Sequence, residues 1–286
     1  MRVSSFFLCV VLSCSAVQAF MPATKLSPVV TRTQHRSLHP AVAPSRTQLR
    51  SYLDNLSPPP PVEKSSFPKH AVSLAFEYAV ITSLLKGFFT YVLPKYVPTS
   101  LRTPITFLTY AFLSLKSRTF SLCNNSRPEK REKGQLGWYD RTMPKWTPPG
   151  IFFPIMWVLI ITPLRAYSST CIHSSAATPA AALATTRWLI LHLCVGDVWN
   201  TINNVEGRLG VSALTVIAVL GSALNAGRNY FAVSKPAGYM LSATCGWLSI
   251  ATVLIWNTWW INKRDGKRDT LLPKKDGRRT QFVFEK

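Results

Sequence analysis

Acidic residues are scarce in this chain of 286 residues, which has 12 Asp and Glu against 33 Lys and Arg. Charged residues make up only 16% of the chain, whereas an average soluble domain has about 25%. The 47% of hydrophobic residues excludes a disordered chain, and the 13 glycines and 6 cysteines exclude a collagen-like repeat and a disulfide scaffold. The net charge of +21 lies at the two ends and in one central loop. Long, nearly uncharged stretches between them are typical of a multi-pass membrane protein.

Motifs of the common enzymes and metal sites are also missing. The sequence contains no G-x-G-x-x-G, P-loop, G-x-S-x-G, H-E-x-x-H or C-x-x-C motif, so we predict no catalytic residue and no metal ligand set. The basic residues of the central loop are not interleaved with an aromatic platform. We therefore interpret them as a solvated topology signal and predict no nucleic-acid partner.

The N-terminal third of the sequence contains targeting signals. Residues 1–19 match a secretory signal peptide, with a short apolar run followed by small residues. Residues 20–65 are rich in Ser, Thr, Pro and Arg, end in a Pro-rich linker, and contain no acidic residue before Asp54. This acid-poor composition is typical of a transit peptide. A signal peptide followed by a transit-like segment resembles the presequences of algae with secondary plastids, which predicts a plastid envelope or thylakoid membrane. The alternative is an ordinary signal peptide followed by a Pro-rich lumenal segment.

The apolar stretches predict an all-α integral membrane bundle of five helices over residues 66–262. A membrane core about 30 Å thick needs about 20 apolar residues per helix. The candidate stretches are 71–93, 104–115, 150–164, 188–199, 209–226 and 237–262. One of the first two is the first bundle helix, and the other is an additional N-terminal helix or a shorter segment. The loop 116–145 and the basic tail 263–286 are expected on the same side, facing the cytoplasm or stroma.

Tryptophan is the residue that stands out in the second half of the chain. All nine tryptophans lie between residues 138 and 260. An indole offers a large flat face and one N–H donor. Several of them directed into a bundle would suit a flat apolar ligand, such as a tetrapyrrole or a sterol. The alternative is that they fill the helical core and the belt at the membrane surface.

Two tryptophan-rich blocks, in the right order, resemble the TspO/MBR family of tryptophan-rich sensory or translocator proteins. The residues that carry the resemblance are Trp138-Tyr139, Pro144-Lys145-Trp146-Thr147-Pro148-Pro149-Gly150, Phe153 and Trp157 in the first block, Trp199 on the third helix, and Trp247, Ala251, Leu254, Trp259 and Asn262 in the second block. They extend over residues 138–262. The resemblance implies a five-helix membrane bundle, often a homodimer, that binds porphyrins, haem or other flat apolar molecules and requires no cofactor.

The resemblance also implies where the ligand binds. The candidate ligand-binding residues are Tyr139 and Trp146 on the loop that closes over the pocket, Phe153 and Trp157 on the second helix, Trp199 on the third and Trp247 on the fifth. The chain departs from the family pattern at positions such as Ile151 and Ile161, where the family often has Trp and Tyr. These departures leave the predicted helical scaffold unchanged, but they make the identity of the ligand less certain to follow the family.

Two ionisable residues of the predicted third helix, His192 and Asp197, are unusual inside a membrane, where such groups usually face the bundle interior. One hypothesis is that a neutral His192 hydrogen-bonds or ligates a bound metallo-tetrapyrrole. The alternative is a structural role, at the membrane boundary or in pairs with Arg187 or with Asn200, Asn203 or Asn204.

We therefore predict a plastid membrane protein that binds a tetrapyrrole or another flat hydrophobic ligand for transport, buffering or sensing. Its partners would be the lipid bilayer and this tetrapyrrole or sterol-like ligand. Two alternatives remain open at this point. One is a light-dependent porphyrin-degrading enzyme that uses Trp157 and Trp247, and the other is a structural or assembly factor without a small ligand.

Overall fold

The structure is a computed structural model, and it describes residues 61–116, 118–124, 141–264 and 267–285. The predicted signal peptide and nearly all of the transit-like segment lie outside the described residues. The candidate residue Tyr139 also lies outside them, together with its neighbour Trp138.

Six helices make up the described part of the chain. They are α1 Ser66–Tyr96, α2 Thr99–Leu115, α3 Phe152–Ser175, α4 Pro179–Val205, α5 Leu209–Val233 and α6 Lys235–Ile261. All except α2 are long and apolar enough to cross a membrane, so the predicted all-α membrane bundle is confirmed. The 17 residues of α2 extend over about 26 Å at ~1.5 Å per residue, slightly less than a typical hydrocarbon core. A short hairpin of β1 Lys263–Arg264 and β2 Lys267–Arg268 follows α6.

Helix starts follow the local sequence. Thr178 caps α4 by accepting a hydrogen bond from the backbone N–H of Ala181 at 3.1 Å, and Pro179 takes the first helical position, where no N–H is needed. Pro98 directly precedes α2, and Pro236 lies in the first turn of α6. Only short turns separate α1 from α2, α3 from α4 and α5 from α6, so the chain reverses direction within each pair.

Packing contacts define the order of the helices in the bundle. Helix α2 packs on α3, α3 on α6, α6 on α5, α5 on α4, and α4 on α1. The sequence left open whether 71–93 or 104–115 supplies the first bundle helix, and the structure uses both, one against α4 and one against α3. Between them, α1 and α2 line an apolar groove of about 420 Å³.

The apolar core has two parts. The larger one joins α1, α2, α3, α4, α5 and α6 through side chains such as Phe89, Tyr110, Leu189 and Tyr230. The smaller one consists of Val219, Ala223, Cys245 and Leu248, with Trp157 and Trp199 packed against it. Large apolar side chains on the outside, for example Leu108 and Leu159, are more than half exposed, as expected for surfaces that face lipid.

Three helices contain wide π-helical turns, at Phe88–Val92, Met156–Ile161 and Thr201–Val205. The turn in α3 precedes Pro163, which has no N–H to donate to the carbonyl of Leu159. Such turns are rare in helices and frequently occur at functional sites. Trp157 lies within the turn of α3.

Loop residues that the sequence placed in solvent are partly buried. Lys116, the first residue of the expected solvated loop, is 8% exposed, so this expectation is wrong at that end of the loop. The tail also packs on the bundle, through β-bridges that join Lys274 to Val62 and Phe282 to Cys123. Basic composition alone does not distinguish a solvated segment from one whose cations are paired with buried carboxylates.

Candidate functional site

The loop before α3 is fastened to the ends of two helices. The guanidinium of Arg141 donates to the side-chain oxygen of Asn203 at 3.0 Å. Asn262, the last residue of the second tryptophan block, receives a hydrogen bond from the backbone N–H of Thr142 at 2.9 Å and returns one to the Thr142 carbonyl at 2.8 Å. Burial lowers the pKa of Arg141 to about 10, which still leaves it charged at neutral pH. Trp146 lies on this loop and is 45% exposed.

Aromatic side chains of α3 and α6 meet beyond the loop. The ring centroid of Trp247 lies 5.6 Å from that of Phe152 and 5.9 Å from that of Phe153, in edge-on arrangements. Trp247 is 7% exposed, and its indole Nε1 has no hydrogen-bond partner among the described residues. An unsatisfied buried donor is unusual and is available to an acceptor on a ligand.

Trp157 and Trp199 lie on the smaller apolar cluster. Both pack against the cluster formed by α5 and α6. The indole of Trp199 donates to the carbonyl of Ser212 at 3.1 Å, which fixes its ring on α5. The structure therefore groups Phe153 with Trp247, and Trp157 with Trp199, whereas no ring contact among the described residues joins Trp146 to them.

His192 is buried between α3, α4 and α5, with 2% of its surface exposed. Its Nε2 lies 2.7 Å from Nη2 of Arg165, and its Nδ1 lies 3.0 Å from Oγ of Ser222 and 3.2 Å from the carbonyl of Val219. A guanidinium can only donate, so Nε2 accepts and Nδ1 carries the proton of a neutral ring. Because both ring nitrogens are occupied, ligation of a metallo-tetrapyrrole by Nε2 requires that the bond from Arg165 is first broken.

Arg165 is the site residue that sequence reasoning missed. It lies near the middle of α3, is 4% exposed, and places its guanidinium 5.3 Å from the ring centroid of Trp157. The available signal was a cation within a stretch otherwise apolar enough to span a membrane, where ionisable residues are rare and usually functional. The sequence drew attention to His192 but not to the residue that binds it.

Asp197 belongs to a different cluster. The ammonium of Lys116 lies 2.9 Å from Oδ2 of Asp197 and 2.6 Å from Oε1 of Glu77. Burial alone would lower the pKa of Lys116, but the two carboxylates raise it above its ordinary value. Asp197 therefore has a structural role as an ion pair, and its partner is Lys116 rather than Arg187 or an asparagine. Among the described residues, no three His, Cys, Asp or Glu side chains come together in a way that could hold a metal ion.

Comparisons with known proteins agree with this arrangement. The model of the TspO/MBR family matches residues 107–261, which is just over half of the chain. The matched region begins within α2 and ends at the last residue of α6, so α1 precedes it. The search of curated proteins found no match.

Proposed function

The chain is a multi-pass membrane protein that belongs to the TspO/MBR family, and on this basis we propose that it binds a tetrapyrrole, such as a porphyrin or haem. The ligand would lie against Phe153, Trp157, Trp199 and Trp247, in the part of the bundle that α3, α4 and α6 form. Its role would be transport, buffering or sensing of this flat hydrophobic molecule.

The contact between Trp247 and the two phenylalanines of α3 is the observation that carries the proposal. The ring centroids of Phe152 and Phe153 each lie within 6 Å of that of Trp247, so the three rings form an apolar wall. The indole N–H of Trp247 has no partner among the described residues. Flat aromatic ligands stack favourably on such rings. The unpaired N–H can donate to a ring nitrogen or a peripheral oxygen of the ligand.

The loop residues Tyr139 and Trp146 would close the site at one end. The hydrogen bonds from Thr142 to Asn262 and from Arg141 to Asn203 hold the end of this loop beside α4 and α6.

A titration of the purified protein in detergent tests this function. Protoporphyrin IX or haem is added in the dark, and the quenching of tryptophan fluorescence is followed. We expect saturable quenching in the wild type, weakened roughly two- to tenfold by Trp247→Phe, which removes the N–H donor and part of the ring face. Trp157→Phe is expected to weaken binding as well.

Trp188→Phe is the matched control, because Trp188 is 39% exposed on the outside of α4 and its loss should leave the affinity unchanged. Linear, non-saturating quenching that is the same in all variants would contradict the proposal and favour a structural or assembly role. Repeating the titration in light tests the enzyme alternative, which requires a loss of porphyrin absorbance that depends on Trp157 and Trp247.

For the location, we propose a plastid envelope or thylakoid membrane, with the signal peptide 1–19 and the transit-like part of residues 20–65, before the Pro-rich linker, as the targeting sequence. A fluorescent protein fused to residues 1–65 should enter the plastid of an alga with a secondary plastid. The same reporter fused to residues 1–19 alone should stop in the secretory pathway. Secretion of both fusions would contradict the plastid location.

A further inference from the structure

Arg165 is an ion inside the membrane-spanning part of the bundle. Ionisable side chains at this depth are costly and are normally paired with one another. Three cationic Lys or Arg side chains are buried in the described part of the chain, at Lys116, Arg165 and Arg208. Lys116 is paired with Glu77 and Asp197, and Arg208 with Glu63 and Glu206.

Arg165 has no such carboxylate among the described residues. Its Nη2 donates to the neutral ring of His192, and its Nε has no hydrogen-bond partner. The thiol of Cys245 and the carboxylate of Asp197 lie within electrostatic reach, but Asp197 is held by Lys116 at 2.9 Å. The positive charge of this site is therefore not balanced by a contacting residue.

We propose that the missing counter-ion is a carboxylate of the ligand, which Arg165 binds beside Trp157. This inference rests on the proposed function and narrows it to flat hydrophobic molecules that carry an acidic group, such as tetrapyrroles in their free-acid form. A guanidinium offers N–H donors in a planar fork that matches a carboxylate. In a site without water, such a bond is stronger than at a surface.

The geometry fits this chemistry. The guanidinium lies over the ring of Trp157, 5.3 Å from its centroid, so a ligand in contact with Trp157 brings a peripheral group close to the free Nε. His192 acts as a positioning residue, because it accepts from Nη2 and is itself held by Ser222. A neutral sterol would leave the charge of Arg165 unpaired.

Comparison of protoporphyrin IX with its dimethyl ester tests the inference, because the two share one ring system and differ in the two carboxylates. Both are titrated in the dark against the purified full chain. We expect the wild type to bind the free acid on the order of 10-fold more tightly than the ester. Arg165→Gln should abolish this preference while leaving the affinity for the ester unchanged.

Arg228→Gln is the matched control, since it removes the same charge from an exposed position of α5 and should keep the preference. Arg165→Lys should keep part of it, because the charge remains and the fork is lost. His192→Ala should reduce binding of the free acid and not that of the ester. Because Arg165 has no acidic partner, its removal leaves no carboxylate unpaired, and Arg165→Gln is expected to fold.

The outcomes separate this inference from the proposed function. Equal affinity of the wild type for the acid and the ester would overturn the role of Arg165 but not the proposed tetrapyrrole site. This comparison needs only the wild-type protein. An acid preference that survives in Arg165→Gln would overturn it as well. Saturable binding of neither compound would overturn the proposed function and the inference together.

Discussion

Lys116 connects three helices through a single ammonium group. Its two partners are Glu77 of α1 and Asp197 of α4, and Lys116 itself directly follows α2. A buried pair of this kind costs desolvation energy that the attraction only partly offsets. Its main effect is to specify how α1 and α2 lie against α4, because each partner alone would be a buried unpaired ion.

Lys116→Met should therefore destabilise the protein strongly. The substitution leaves Glu77 and Asp197 buried without their cation, which costs about 3–5 kcal/mol. The thermal unfolding midpoint in detergent, followed by fluorescence, measures the effect. Lys95→Met is the control, since Lys95 is exposed and its loss should change the midpoint little. A triple variant with Glu77→Gln and Asp197→Asn added should recover much of the loss, and an unchanged midpoint in Lys116→Met would contradict the argument.

Glu206, just after α4, gives the stability a pH dependence. Burial by itself would raise its pKa, but hydrogen bonds and charges from His70, Arg208 and Thr280 lower it below the ordinary value. A carboxyl whose pKa is lower in the folded state stabilises the fold fully above its unfolded pKa of about 4.3. This stabilisation is lost as the pH falls through the folded value.

Glu206→Gln should consequently unfold at a lower temperature than the wild type near pH 7, and the difference should shrink below about pH 4. Carboxyl groups that do not share a partner with Glu206 titrate equally in both proteins, so the difference between the two midpoints reports on Glu206 and the residues paired with it. A difference that stays constant from pH 7 to pH 3 would show that Glu206 acts without its charge.

The sequence suggested one aromatic contact of the candidate site but not its ions. The resemblance to the TspO/MBR family assigned Phe153 and Trp247 to one pocket, and the structure places their ring centroids 5.9 Å apart. The pairs Arg165–His192 and Lys116–Asp197 could not, because they depend on how far neighbouring helices are shifted and rotated against each other. A shift of one turn, about 5.4 Å, would separate each pair.

At the scale of elements, the tail depends on a glycine of α5. A Cβ placed on Gly210 would lie 2.2 Å from the carbonyl oxygen of Thr270 and 2.8 Å from that of Asp269. The close approach allows Asp269 to accept from the indole of Trp259 at 2.7 Å and from Arg278 at 2.8 Å. The basic tail is thus held on the bundle where the backbone of α5 has no side chain.

Gly210→Ala should release this contact, because backbone atoms at 2.2 Å cannot be avoided by a rotamer change. We expect faster cleavage of the tail in limited proteolysis and a lower unfolding midpoint. Gly221→Ala is the matched control on the same helix: nothing lies within 4 Å of its Cβ position, and alanine favours the helix by up to about 1 kcal/mol. Equal proteolysis of the two variants would contradict a role for Gly210.

At the scale of the whole molecule, the described residues before α1, after α2, before α3 and in the tail lie at one end of the bundle. The tail pairs with Val62 before α1 and with Cys123 after α2. The loop before α3 binds Asn203 near the end of α4 and Asn262 after α6. All six helices therefore have one end in this region, and, of the described residues, the three short turns lie at the other end.

This arrangement predicts six membrane crossings. Six helices that all connect the same two ends return the chain to its starting side, in agreement with the pairing of Val62, just before α1, with Lys274 of the tail. The described ends of the basic loop 116–145 and the basic tail share that side, and from the positive-inside rule we expect it to face the cytoplasm or stroma. We therefore predict that the short α2 crosses as well, which would require a modest local thinning of the bilayer.

Labelling of single cysteines in sealed vesicles tests the six crossings. In a variant without the native cysteines, Cys is placed at the exposed positions Lys64, Thr99, Lys145 and Arg279, and a membrane-impermeant maleimide is added from outside. We expect Lys64, Lys145 and Arg279 to react from one side and Thr99 only from the other. If α2 did not cross, the cysteine at position 99 would be labelled from the same side as those at positions 145 and 279. If α1 did not cross, the cysteines at positions 64 and 99 would be labelled from the same side. Each topology with five crossings therefore gives its own labelling pattern, and either pattern would contradict six crossings.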